Sequence, residues 1–184
     1  MPPHPLLQFG VRPTDRVGVI GIGGLGHVAL KFFRAWGCEV TAFSSNPAKA
    51  GDARAMGAHR VVDSRDAEAL KAVAGTLDFI LVTVNVPLPW DAYIAALRPR
   101  GRLHFVGAVL EPVPAAVFPL IVGQKSISGT PTGGPGAIAE MLDFAARHQI
   151  DPLCETYPLT KVNEAIADLR AGKPRYRIVL DCRN

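Results

Sequence analysis

The stretch RVGVIGIGGLGHVALKFFRAWG, residues 16–37, constrains the fold more than any other part of the sequence. A short apolar run over 16–20 enters a glycine-rich turn without a spacer, and apolar residues then recur at helical spacing as far as Gly37. Gly21, Gly23 and Gly26 satisfy G-x-G-x-x-G. In that pattern the first glycine permits a tight turn, the second lets backbone approach a pyrophosphate, and the third lets helix pack close to strand. The helix that starts there aims its N-terminal N–H groups and positive dipole end at phosphate. Glycine turns also serve methyltransferases and plain structural bends, so the strand–turn–helix setting is what carries the dinucleotide reading.

The same alternation repeats along the chain. A second strand is expected over 39–43, a helix opened by Asn46 and Pro47 over 46–56, and a third strand over 60–62. "LDFILVTV" is a nearly continuous apolar run suited to a strand covered on both faces. A helix through "WDAYIAALRP", a strand "GRLHFVG", a sixth strand "KSISGT" and a helix over 134–148 follow. This order predicts an α/β domain, a doubly wound parallel six-stranded sheet, over residues 1–150. Residues 151–184 change pattern to strand, helix "KVNEAIADLRAG" and strand "YRIVLD". A tail that short cannot bury a core of its own and must lean on something else.

A chain that binds NAD usually ends its second strand in Asp or Glu, about 20 residues past the glycine turn, to grip the adenosine ribose. Here that strand ends in Ser44 and Ser45, with Lys49 just beyond. Hydroxyls can donate to phosphate oxygens and an ammonium supplies the compensating charge, so the cluster suits a 2′-phosphate and favours NADP. Arg54, a turn further on, is a candidate assistant. The alternative is that the serines cap the following helix, a task for which Asn46 is already available.

Composition narrows the classes. The net charge is +4, but the basic residues are scattered and only 7% of the chain is aromatic, so a small anionic ligand accounts for the excess without nucleic acid. No apolar run approaches the roughly 20 residues that span a bilayer, and the start "MPPHP" lacks a signal peptide's apolar segment. A soluble, cytoplasmic protein is expected. Cys38, Cys154 and Cys182 lie far apart and read as free, buried thiols in a reducing compartment, not metal ligands. His27, on the first helical turn, reads as a surface or pocket-lining residue. His4, His59, His104 and His148 have no acid or cysteine at catalytic or metal spacing. No catalytic residue and no metal site is assigned.

Taken together, "VGVIGIGGLGHVALKFFRAWGCEVTAFSSNPAK", "DFILVTV", "GRLHFVG", "KSISGT" and "RYRIVLD" resemble, in order and spacing, the cofactor half of zinc-dependent medium-chain alcohol dehydrogenases. The similarity is to the NADP-using branch typified by cinnamyl alcohol dehydrogenases and runs from Leu6 to Asp181. It implies a Rossmann fold in which Ser44, Ser45 and Lys49 hold the 2′-phosphate and Gly23, Gly24 and Leu25 line the pyrophosphate turn. It also implies that Thr83 and Val84, Val106 and Gly107, and Gly129 and Thr130 line the nicotinamide end, and that Arg177 reaches the pyrophosphate. Asn85 and Val86 depart from the residues common in the family, which bears on the shape of their loop. The family's catalytic and structural zincs are held by residues N-terminal to this segment, so residues 151–184 read as a remnant of an otherwise absent catalytic domain.

The resemblance implies the NADP(H)-binding part of an alcohol dehydrogenase or aldehyde reductase, inactive alone for want of zinc ligands. A non-catalytic NADP(H)-binding or sensing module rests on the same glycine turn and stays open. Pairing of the sixth strand across a two-fold axis, as in related enzymes, would make a homodimer, and "VPAAVFPLIVGQKSIS" has the apolar edge for it.

Overall fold

The computed structural model describes residues 3–183. The chain divides into two compact units, Met1–Ile150 and Asp151–Asn184. The first unit contains strands β1 (Arg16–Ile20), β2 (Glu39–Ser44), β3 (Arg60–Asp63), β4 (Leu77–Val82), β5 (Leu97–Phe105) and β6 (Ser126–Gly129). Its helices are α1 (Pro3–Gln8), α2 (Gly26–Trp36), α3 (Ala50–Ala55), α4 (Ala67–Lys71), α5 (Trp90–Ala96), α6 (Val117–Gly123) and α7 (Pro135–Arg147). The strands form one sheet in the order β3-β2-β1-β4-β5-β6, with every neighbouring pair parallel. The α/β doubly wound sheet expected from the sequence is therefore present. Strand order reverses between β1 and β4, and a crevice beyond their carboxyl ends is where such sheets take ligands.

Central strands covered on both faces need apolar runs instead of alternation. β1 is buried at every residue after Arg16, and β4 at all but Asp78. On one face Phe79 meets Phe33 of α2, ring centroids 6.2 Å apart. On the other, Ile80 joins Phe43, Tyr93, Ile94 and Leu103 in a continuous core. Each such side chain contributes roughly 2 kcal/mol by leaving water. Gly37 ends α2 in the left-handed conformation, φ 106°, and donates its N–H to Arg34 O, which a β-carbon would strain.

β5 starts earlier than expected, at Leu97. Its pairing with β4 passes through a register shift between Leu77 and Phe79, and Pro99 and Gly101 conceal that stretch from a propensity reading. His104 is fully buried in β5 and ties it to the end of β6. Its Nδ1 lies 2.9 Å from Ser128 Oγ and its Nε2 3.0 Å from Thr130 Oγ1. The helix expected over 46–56 is split into a tight turn of 3₁₀ helix, Pro47–Lys49, followed by α3. The short helices α1, α4 and α6 were not expected. Only α4 carries a clear start signal, Asp66, whose carboxylate accepts the N–H groups of Glu68 and Ala69 at 2.9 and 3.1 Å.

The second unit holds β7 (Cys154–Pro158), α8 (Val162–Arg170) and β8 (Arg177–Asp181), the strands pairing in parallel. Ala165 and Tyr176 are buried, whereas Leu153, Leu159, Ile166, Leu169 and Val179 are all more than 40% exposed. Two strands and a helix are too few to enclose those side chains.

Candidate cofactor-binding site

The glycine turn leaves β1 at the sheet's switch point. Gly21 has φ 87°, and a β-carbon on it would stand 2.4 Å from Val84 Cγ1. A β-carbon on Gly26 would stand 1.8 Å from the carbonyl oxygen of Gly21, so helix and strand end meet too closely for any side chain. Gly23 differs: it is exposed, and a β-carbon there would meet nothing within 4 Å. Leu25 occupies the N-cap of α2 without a side-chain cap, and Gly24 stands beside it, half-buried. Open space over the second glycine and a helix end with no side-chain cap are what a pyrophosphate requires.

Two side chains brace this turn. The Thr83 hydroxyl lies 2.9 Å from Ile20 O and 2.8 Å from Gly21 O, joining the end of β4 to the turn. Of the two places the sequence left open for His27, helix surface or pocket lining, the surface is excluded. His27 is fully buried, with Nδ1 2.9 Å from Gly23 O, and holds the second glycine's peptide in place. It stands three residues before buried Leu30 on the same face of α2, a signal that helical periodicity contained.

At the end of β2 lies a hollow of about 150 Å³ lined by Gly21, Ile22, Ser44, Ser45, Asn46, Lys49, Ser64 and the loop residues Val84, Val86 and Leu88, among others. None of its lining residues is acidic. The serines differ. Ser44 is buried, its Oγ accepting the Asn46 N–H and donating to Asn46 O, both at 3.2 Å. Ser45 is exposed. Asn46 is the cap of the following turn, its Oδ1 accepting the Ala48 N–H at 3.0 Å. Lys49 reaches back so that Nζ donates to Ile22 O at 3.4 Å, which sets the ammonium beside the glycine turn. Arg54 is not brought here. It lines a separate, larger depression with Lys31, Arg34, His59 and His148.

Val84 thus joins the hollow of Ser45 and Lys49, together with Val86 and Leu88, which sequence reasoning did not assign. Val106 and Gly107 follow β5, each donating its N–H to Val82 O at 3.0 Å. A β-carbon on Gly107 would lie 2.1 Å from Val84 O, so the loops after β4 and β5 touch through backbone. Gly129 pairs with Phe105 in register, and Thr130 donates its N–H to Phe105 O while its hydroxyl meets His104. Arg177, exposed, opens β8 in the second unit.

Among the described residues no group of three or more His, Cys, Asp or Glu side chains is placed to hold a metal ion. Zinc needs three or four convergent ligands, so these residues do not fit it. Of the three cysteines expected to be buried only Cys38 is, its thiol pushed up to about 12 by burial first and then by the negative charges of Asp15 and Asp78, which makes it inert; Cys154 and Cys182, in the second unit, are exposed.

Residues 24–147 match the family described as zinc-binding dehydrogenase. The chain belongs to this family. It is 51% identical over 176 residues to an aldehyde reductase, AdhA, of a Synechocystis strain, covering 96% of this chain and 52% of that protein. A cinnamyl alcohol dehydrogenase of Sorghum bicolor superposes with TM-score 0.92 at 37% identity, over 97% of this chain and 51% of that one. The CAD protein of Helicobacter pylori, solved in complex with NADP(H), gives TM-score 0.85 at 31% identity, over 98% of this chain and 52% of that one. The chain spans about half the length of these relatives and matches their cofactor-binding part. Among the described residues no helix is long and apolar enough to cross a membrane.

Proposed function

We propose that this chain grips NADP(H) for an alcohol or aldehyde oxidoreductase. The observation that carries the reading is the hollow at the end of β2, which offers Ser45 and Lys49 and has no carboxylate in its lining. An acid there would accept the ribose hydroxyls of NAD and repel a 2′-phosphate, whereas a hydroxyl and an ammonium attract it. Gly23, Gly24 and Leu25 would take the pyrophosphate at the start of α2. Thr83 and His27 would hold that turn rigid, while Val106, Gly107, Gly129 and Thr130 border the nicotinamide end. Bound NADP(H) supplies hydride donation or acceptance at its nicotinamide ring.

The division of labour follows from chemistry. These residues bind and orient a cofactor, and the zinc-binding part, together with most of the substrate pocket, would belong to the remainder of a longer protein of this family. The exposed apolar residues of the second unit suit a role as that remainder's edge, as a remnant of the catalytic domain. A cytoplasmic compartment fits three cysteines without a disulfide among them. Titration of nicotinamide fluorescence should give NADPH an affinity at least about tenfold tighter than NADH, one charge-assisted contact being worth that much. The 184 residues should turn over no alcohol even with zinc added. Equal affinities would overturn the cofactor reading, and robust zinc-dependent turnover would overturn the division of labour.

The reading extends to a homodimer. β6 is an edge strand, and α6 before it exposes Val117, Phe118, Ile121 and Val122, each more than 60% accessible. A bare edge beside an apolar helix is a liability that pairing with a second copy removes. Light scattering should give twice the 19.6 kDa of one chain. A monomer at micromolar concentration would exclude the pairing.

A further inference from the structure

We infer that Arg65, on the loop between β3 and α4, is a specificity-determining residue that clamps the 2′-phosphate opposite Lys49. The inference rests on the NADP reading above.

Parallel pairing of β2 with β3 sets Asp63 opposite Ser44, so the residues just past each strand end are neighbours across the sheet. Ser64 donates its N–H to Ser44 O at 3.1 Å and lines the same hollow as Ser45 and Lys49. One residue further on, the Arg65 guanidinium turns back over the end of β2 and donates to the carbonyl oxygen of Ser45. The proposed phosphate position is therefore flanked by two cations. Lys49 is anchored on the glycine-turn side through Ile22 O, and Arg65 on the β3 side through Ser45 O.

The loop is built to present that guanidinium. The Asp63 carboxylate accepts the Arg65 N–H at 2.9 Å, which fixes the arginine's backbone. The Asp66 carboxylate is spent on the first N–H groups of α4. Both neighbouring acids thus hold backbone N–H groups, and the arginine side chain goes to Ser45, a residue that lines the hollow. A guanidinium carries five N–H donors in a planar fork, and its bond to Ser45 O uses one of them. The remainder match a phosphate's oxygens, where an ammonium offers only a point charge. A cofactor lacking the 2′-phosphate gives Arg65 nothing to bind beyond the Ser45 carbonyl it already holds, so its effect falls on the difference between the two cofactors.

The test compares Arg65→Gln and Arg65→Lys with the unmodified chain, using NADPH, NADH, adenosine 2′,5′-bisphosphate and 5′-AMP as probes. Arg65→Gln keeps a donor for Ser45 O but removes the charge. It should weaken NADPH and the bisphosphate by about tenfold while leaving NADH and 5′-AMP unchanged. Arg65→Lys should recover part of the loss, and the NADPH affinity of Arg65→Gln should fall less steeply with added salt. Equal weakening of all four probes would overturn the assignment, because it would mean that Arg65 only supports the loop. So would an unchanged NADPH-to-NADH ratio in Arg65→Gln when the unmodified chain prefers NADPH. An unmodified chain with no preference would sink the cofactor reading itself, and this assignment with it.

Discussion

Gly26→Ala is expected to destabilise the first unit by about 3 kcal/mol, lower its melting temperature by roughly 9 °C, and abolish measurable NADPH binding. The new β-carbon would stand 1.8 Å from the carbonyl oxygen of Gly21 and 2.9 Å from its carbon. Both obstacles are backbone, so no side chain can rotate away. Relief requires α2 to move off the end of β1. That motion pulls at the hydrogen bonds of Thr83 to Ile20 and Gly21 and of His27 to Gly23.

Gly23→Ala is the informative partner to that variant. Its β-carbon enters open space at a backbone φ outside the left-handed region, so the apo melting temperature should stay within about 1 °C of the parent. The space it fills is where a pyrophosphate would approach, so NADPH affinity should fall by about two orders of magnitude. Thermal unfolding and fluorescence titration of the two variants thus separate a glycine needed for packing from one needed for ligand. Parental NADPH affinity in Gly23→Ala would remove the pyrophosphate assignment.

These glycines were the most legible part of the sequence because strand, turn and helix are contiguous there and leave no freedom of register. The centre of the sheet was legible for a related reason: "LDFILV" is apolar on both faces only if it is covered on both. Legibility failed where long-range pairing overrides local preference. β5 begins at Leu97 because Leu97 pairs with Leu77 of β4, and residues 98–101 bulge between that pair and the next, Phe79 with Arg102, although proline, arginine and glycine argue against a strand there. Short helices such as α4 and α6 lack the length for periodicity to register. The site divided along the same line. Ser45 and Lys49 follow the glycine turn by one βα unit and could be counted to, whereas Ser64 and Arg65 become their neighbours only through the register of β2 with β3. The two serines looked equivalent in sequence and proved different, one buried in the turn at Asn46 and one exposed.

That difference decides how the cofactor preference is best reversed. Ser45→Asp puts a carboxylate on an exposed residue of the hollow that Lys49 also lines and whose carbonyl Arg65 holds, without disturbing the buried bonds of Ser44. A 2′-phosphate carries nearly two negative charges at pH 7. Its repulsion by an acid about 4 Å away is worth on the order of 3 kcal/mol at a partly solvated site, after some of the new charge is absorbed by the flanking cations. NADPH affinity should therefore fall by about 100-fold, and by less in high salt. NADH should be nearly unaffected, because the acid that grips a ribose would stand at Ser44, one residue earlier, and Ser45→Asp does not rebuild it. Ser44→Asp is the poorer test. It would place a carboxylate in a buried position and break the turn at Asn46, so lost binding could reflect lost folding. If Ser45→Asp binds NADPH and NADH in the parental ratio, the 2′-phosphate does not lie at the end of β2. The exposed serine would then be only the start of a turn.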